Sequence, residues 1–191
     1  MDDVELFQAA GRNDAATLRS LLQAGSDPNS VSELAGHTPL YNACFSNAAE
    51  AVRVLLEHGA DPNKRFTYRS PIDGRVEGDL VAIMLARSAN IATLLLNARA
   101  DVNCHAANGT TALMRAAFRG SPEVVQLLLI AGANAVTKNA AGNSALDLAS
   151  EQLNFFRTQG CLFKDGHAEK RLGQFTEVCE LLSKAMAANP T

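Results

Sequence analysis

The sequence predicts an all-α fold, a solenoid of about five stacked helix-turn-helix units with finger loops, and two repeated phrases carry this prediction. The first phrase, LLEHGADPN in its clearest copy, occupies residues 21–29, 55–63, 95–103 and 128–136. Its copies start 34, 40 and 33 residues apart, and a period near 33 is typical of stacked repeats. The second phrase falls between these copies and reads GHTPLYNAC at 36–44, GTTALMRAA at 109–117 and GNSALDLA at 142–149.

Each residue type in the second phrase has a physical role at its place. A tight turn favours positive φ where the glycines stand, at Gly36, Gly109 and Gly142. The hydroxyl-bearing residues that follow can cap the first helix, and they are Thr38, Thr111 and Ser144. Small residues then let neighbouring helices approach closely, at Ala43, Cys44, Ala116, Ala117 and Ala149.

These phrases resemble the turn and first helix of the ankyrin-repeat family, and the resemblance covers nearly the whole chain. It implies a single domain, 1–191, with repeats at about 1–31, 32–64, 65–104, 105–137 and 138–191. It also implies recognition of another protein through a concave groove and the finger loops. Tyr41 departs from the pattern, since the family usually has a histidine at that position.

Composition and charge narrow the class of function. The chain has 191 residues, 47% of them hydrophobic, which is enough for a sizeable core in one domain. A net charge of −3 argues weakly against nucleic acid as the main partner. The four cysteines form no CxxC pair, and no apolar run reaches the ~18 residues of a membrane span. Because the acidic first residues lack the apolar core of a secretory signal, we expect a cytoplasmic protein, with the nucleus as an alternative.

The first two repeats follow the pattern closely. In repeat one, Asp2 or Asp3 can cap a first helix and Asp14 a second. The missing glycine phrase marks this unit as the N-terminal cap. In repeat two, the second helix is expected at about 48–58, and Gly59 ends it as a C′ glycine does.

Repeat three departs from the pattern in its finger loop. Aligning its second helix places Leu80 at the position of Leu40, so seven extra residues, the difference between 40 and 33, fall in the loop 64–79. One interpretation is an insertion whose aromatic side chains pack back on neighbouring helices, because long loops are entropically cheap. The other is a finger that contacts a partner, through Phe66, Tyr68, Arg69 and Arg75. Contact with RNA or a phosphorylated peptide is a further alternative for this basic, aromatic loop.

The first helices supply the other candidate contacts. In this family the two residues after the paired small residues face the concave groove, which implies that Phe118 and Arg119 lie there, as does Phe45. Tyr41 and Arg115 are expected along the same groove. The alternative is a Phe shielded by the next repeat and a solvated Arg.

Repeat five begins normally and then contains an insertion at about 152–173. Apolar residues continue at helical spacing on both sides of it, so both helices are expected to be longer, with a turn near Gly160 and 164–166. We interpret this as an extended C-terminal cap with Phe163 exposed, and two capped ends favour a monomer.

The sequence contains no signature of catalysis. GxSxG, P-loop, GxGxxG and HExxH motifs are all absent, and Cys44 occupies a packing position where a nucleophile would be buried. We therefore predict no catalytic, cofactor-binding or metal-binding residue, and an adaptor or scaffold that binds a partner protein. Alternatives are a regulatory or inhibitory subunit of an enzyme, a delivered bacterial effector, and a substrate for asparagine hydroxylation at Asn63 or Asn103.

Overall fold

Short helices follow one another along the chain, as the repeated phrases predict. The structure is a computed structural model, and it describes residues 4–32, 36–69, 76–159 and 167–188. Its α-helices are α1 (Val4–Arg12), α2 (Ala15–Gln23), α3 (Pro39–Phe45), α4 (Ala49–Glu57), α5 (Ala89–Asn97), α6 (Ala112–Arg119), α7 (Pro122–Ile130), α8 (Ala145–Gln159) and α9 (His167–Ala188). A 3₁₀ helix spans Ala82–Leu85, and strands β1 (Phe66–Arg69) and β2 (Val76–Leu80) pair as an antiparallel hairpin.

The helices pack side by side in two rows. Neighbours in the first row are α1, α3, the 3₁₀ helix, α6 and α8, and neighbours in the second row are α2, α4, α5, α7 and α9. Buried apolar side chains of both rows form one continuous cluster, from Leu18 through Val52 and Ile91 to Val178. Because each pair of helices buries its apolar side against the next pair, the predicted all-α repeat architecture is confirmed.

Hydroxyl groups begin three of the first-row helices, α3, α6 and α8, as the second phrase predicts. The Oγ1 of Thr38 accepts a hydrogen bond from the backbone N–H of Tyr41 at 3.2 Å, and Thr111 caps α6 in the same way. At α8 the cap is reciprocal, because Ser144 Oγ accepts from the N–H of Asp147 at 3.2 Å while Asp147 Oδ2 accepts from the N–H of Ser144 at 2.8 Å. These bonds satisfy N–H groups that a helix start would otherwise leave without acceptors.

The turn glycines also have the predicted backbone conformation, with φ of 70° at Gly36, 75° at Gly109 and 81° at Gly142. At Gly36 the space is restricted as well, since an added Cβ would lie 2.9 Å from the carbonyl oxygen of Thr67 in β1. The turn before α3 therefore lies directly against the hairpin.

In the first two units the described helix ends match the expected ones. The Oδ1 of Asp14 accepts from the N–H of Thr17 at 3.1 Å, which confirms the cap predicted for α2. Asp2 and Asp3 lie outside the described residues. Helix α4 agrees with the expected range 48–58 to within one residue at each end, and Gly59 follows it with φ of 88°.

The predicted finger loop 64–79 is in part a β-hairpin. Phe66 pairs with Leu80 and Tyr68 with Glu77, and an irregularity in the register falls between the two pairs. The expectation of a loop was wrong for the two strands. Pairing between them gives hydrogen bonds to the backbone N–H and C=O groups that the extra residues add. The tip, residues 70–75, lies outside the described part.

A 3₁₀ helix stands where the first helix of repeat three would be. Its N-cap residue, Val81, offers no side-chain acceptor, and Gly78 occupies the position that Thr38 has in repeat two. Ile83 and Met84 also replace the small Ala43 and Cys44 of that repeat, and both are fully buried. Because this element lacks a cap and packs bulkier side chains against the neighbouring units, it forms only one short helical segment.

The C-terminal helices are longer than the others, as the insertion predicts. Helix α8 has 15 residues and α9 has 22, whereas α2 and α4 have 9 each. Phe175 of α9 is completely buried and lies so close to Gly120 that an added Cβ would stand 2.8 Å from its ring. Helix α9 thus covers the end of α6. The predicted turn near Gly160 and the predicted exposure of Phe163 fall outside the described residues.

Candidate functional site

Aromatic side chains join the hairpin to α3. The ring of Tyr41 stacks on His37 at 4.6 Å between centroids, on Phe45 at 5.7 Å and on Tyr68 at 5.8 Å. Phe66 meets the same ring edge to face at 4.9 Å. Such contacts add to the burial of apolar area, so the hairpin has a defined position over the first row.

Two of the expected contact residues are buried. Phe66 is 5% exposed and Tyr41 is 4% exposed, so neither has the surface needed for a hot-spot contact with a partner. The interpretation in which the aromatic side chains pack back on the helices is correct for Phe66. Tyr68, in contrast, is only partly buried and remains accessible on the hairpin.

A cleft of about 90 Å³ opens where the hairpin meets α3, the 3₁₀ helix and α6, and we call it the hairpin cleft. Its floor includes Tyr41 and Leu80. Its aromatic and charged lining residues are Phe45, Tyr68, Glu77, Arg87, Arg115 and Arg119. Residues far apart in sequence therefore converge on one small concave site.

Two arginines of α6 have fixed positions in this cleft. The Nη2 of Arg115 donates to Glu77 Oε2 at 2.5 Å, which links α6 to β2. The Nη1 of Arg119 donates to the carbonyl oxygens of Met84 and Ala86, each at 3.3 Å. Because these carbonyls belong to the end of the 3₁₀ helix, Arg119 supplies the donor that the short element lacks.

Desolvation and like charges both act on Arg119 in the cleft. Burial lowers the pKa of Arg119 to about 10, and the neighbouring Arg115 and Arg87 contribute to the same direction. Arg87 is exposed, with its guanidinium carbon 5.8 Å from the centroid of the Phe45 ring. This is a cation–π distance, and it places the third arginine at the rim.

The structure brings together Phe45, Tyr68, Arg115 and Arg119 from the predicted set. Phe45 and Phe118 are each 50% exposed, as expected for groove residues, although Phe118 does not line the cleft itself. Arg69 lies in β1 opposite Val76, and Arg75 lies outside the described residues. Contact of these two arginines with a partner stays a prediction.

Sequence reasoning missed Glu77 and Arg87. A signal for Arg87 existed, because aligning Leu80 with Leu40 places Arg87 only two positions beyond the equivalent of Phe45. No sequence signal identifies Glu77, which reaches the site only because β2 pairs it with Tyr68.

Two of the cysteines in the described part of the chain, Cys44 and Cys104, are buried. Cys44 is completely buried, and burial raises the pKa of its thiol to about 12. Burial also raises the pKa of Cys104 to about 11, and its Sγ donates to the carbonyl oxygen of Asp101 at 2.9 Å.

In the part of the chain that the structure covers, no group of three or more His, Cys, Asp or Glu residues could hold a metal ion. None of the helices described above is long and apolar enough to cross a membrane.

Comparison with known proteins gives one result at the level of the family. A family model described as ankyrin repeats, in three copies, matches residues 6–72 and 80–159, which is more than half of the chain. The interval between the two ranges falls within the unusual finger, and α9 lies beyond the second range. A search of curated proteins found no match.

Proposed function

Because the chain belongs to the ankyrin-repeat family, we propose that it binds a partner protein through the hairpin and the exposed side of the first row. Ankyrin repeats are generally protein–protein interaction modules, and the family is typically non-enzymatic. The proposal therefore includes no catalytic step and no cofactor. We further propose that the chain acts as a monomeric adaptor or scaffold in the cytoplasm or nucleus.

The observation that carries the proposal is the pair of half-exposed phenylalanines beside a cluster of arginines. Phe45 is the last residue of α3 and Phe118 the next to last of α6, and these helices lie on either side of the 3₁₀ helix in the first row. Each of the two phenylalanines leaves 50% of its surface open to solvent. Aromatic residues and arginine dominate interface hot spots, because they combine large contact area with specific polar geometry.

Preorganisation of this surface supports the same proposal. The aromatic stack holds the hairpin on α3, and the two arginines of α6 are tied to β2 and to the 3₁₀ helix. Side chains that are already ordered lose less conformational entropy when a partner binds. Affinity can then come from a few contacts on a surface of ordinary size.

A capture experiment with matched variants tests this function. The full chain is used to capture proteins from the cells that make it, in parallel with a Phe45→Ser, Phe118→Ser variant shown by circular dichroism to be folded. We expect the variant to retain less than roughly a tenth of the captured partner, since each hot spot contributes about 2 kcal/mol or more. Ile130→Ser is the control, because Ile130 is an exposed apolar residue at the end of a second-row helix. Equal loss in both variants, or no loss in either, would contradict the proposal.

The two arginines predicted to contact a partner from the finger, Arg69 of β1 and Arg75 of the tip, are tested separately. An Arg69→Ala, Arg75→Ala variant is expected to weaken capture of the same partner if the hairpin contacts it. Full retention by this variant together with loss in the Phe45→Ser, Phe118→Ser variant would limit the interface to the first row.

A further inference from the structure

We propose that the hairpin cleft receives a carboxylate from an acidic segment of the partner protein. This inference rests on the proposed function, and it assigns to one site the chemistry that the partner must present. The reasons are the balance of charge in the cleft, the bonds already made by its arginines, and its size.

The charged groups that line the cleft do not balance. Three arginines, Arg87, Arg115 and Arg119, face one carboxylate, Glu77, so three positive charges against one negative charge leave a net charge of +2. The whole chain has a net charge of −3, so this local excess opposes the overall sign. A concave site with an uncompensated positive charge attracts an anion.

Existing bonds leave donors of these arginines available. Arg119 uses Nη1 for backbone carbonyls, which carry no net charge, and Arg87 faces the Phe45 ring. Arg115 contacts Glu77 through Nη2, whereas its Nε, which has no acceptor among the residues that the structure describes, is buried and out of reach of a partner. A guanidinium group presents five donors in a fork that matches the two oxygens of a carboxylate.

The size of the cleft and the charge of its walls suit a carboxylate on a peptide. At about 90 Å³ the site has room for the carboxylate of an Asp or Glu side chain, whose single negative charge the net charge of +2 exceeds. Phe45 and Tyr68 flank the opening and can contact the residues next to the acidic one. A nucleic acid would need an extended row of phosphate contacts, which this single site does not provide.

Peptide selection tests the inference without knowledge of the partner. A random peptide library is selected on the full chain, and the best peptides are synthesised in three forms that carry the acid, the corresponding amide or phosphoserine. Affinities are measured by fluorescence anisotropy. We expect an Asp or Glu at a constant place among the selected peptides, and roughly tenfold or weaker binding when it is replaced by the amide.

Two variants that change the charge of the cleft in opposite directions make the test specific. Arg87→Gln removes an exposed positive charge and should lower the affinity ratio of acid to amide several-fold. Glu77→Gln removes the competing carboxylate and should strengthen binding of the acidic peptide several-fold. Arg19→Gln is the control, because Arg19 is exposed on the second-row helix α2 and the change in net charge is the same as for Arg87→Gln.

The outcomes separate this inference from the proposed function. Selected peptides without a constant acid, or equal effects of Arg87→Gln and Arg19→Gln, would overturn the carboxylate assignment. Tenfold tighter binding of the phosphoserine form would assign the cleft to phosphate instead. In each of these cases, capture of a partner that depends on Phe45 and Phe118 leaves the proposed function standing, whereas loss of that dependence contradicts the function itself.

Discussion

At the scale of single residues, asparagine side chains connect successive units. Asn63 Nδ2 donates to the carbonyl oxygen of Arg99 at 3.0 Å, and its Oδ1 accepts from the N–H of Asp101 at 2.7 Å. Asn29 and Asn103 make the same two bonds to the units that follow them. Both ends of each amide are therefore occupied by the fold, which explains why the first phrase repeats an asparagine.

Replacement of Asn63 by Ala should destabilise the chain by about 1–3 kcal/mol, because two backbone groups at the unit boundary lose their partner. Urea denaturation followed by circular dichroism measures the change. Asn154→Ala, on the exposed side of α8, is the control and should stay within about 0.5 kcal/mol of the wild type. An equal effect of the two substitutions would contradict the bridging role.

His37 gives the stability a dependence on pH. Burial lowers its pKa below the usual value of 6.5, and its Nδ1 is buried with no hydrogen-bond partner among the described residues. The unfolded chain therefore takes up a proton at a higher pH than the folded chain does. Because the unfolded state binds more protons in this window, the contribution of His37 to the free energy of unfolding is fully present above about pH 6.5 and is lost as the pH falls below it.

Comparison of wild type and His37→Leu in urea at about pH 7.5 and 5.5 tests this dependence. We expect the wild type to lose more stability on acidification than the variant does. Asp14 and Asp147 do not interfere, since hydrogen bonds to Thr17 and Ser144 hold the pKa of each carboxyl below 3.8. An equal loss in wild type and variant would show that His37 does not contribute.

At the scale of elements, the regular helices were predictable and the finger was not. Thr38, Thr111 and Ser144 act through bonds to residues three positions away, so the sequence reveals their caps. The hairpin depends instead on β2 lying against β1 and on Tyr68 stacking on Tyr41, contacts that span many residues. The alignment located the extra residues, but it contained no information on how they pair.

Arg119 acts on the 3₁₀ helix as a capping residue acts on an α-helix, because it donates hydrogen bonds to the carbonyl groups at the end of that element. Its replacement by Met should destabilise the chain by about 1–3 kcal/mol, because the carbonyl groups of Met84 and Ala86 lose a charged donor in a partly buried site. Amide exchange in the 3₁₀ helix should become faster in the same variant. Arg87→Met is the control, since Arg87 is exposed and its loss should change stability by less than about 0.5 kcal/mol. A larger loss of stability in Arg87→Met than in Arg119→Met would contradict the capping role of Arg119.

At the scale of the whole molecule, stacking of similar units places a binding surface on one side. The period of the two phrases was sufficient to predict the architecture, because each unit contacts mainly its neighbours. The site was predictable only in part. Phe45, Arg115 and Arg119 followed from their place in the repeat, whereas Glu77 entered through strand pairing and Phe66 became buried through the aromatic stack.

Hydrogen–deuterium exchange of the full chain, alone and with the partner it captures, tests most directly where that partner binds. We expect added protection in 66–69, 76–87 and 112–119, the segments that form the hairpin and the exposed side of the first row. Protection confined to α4, α5 and α7 of the second row would contradict the account, because the partner would then bind the side away from the hairpin cleft.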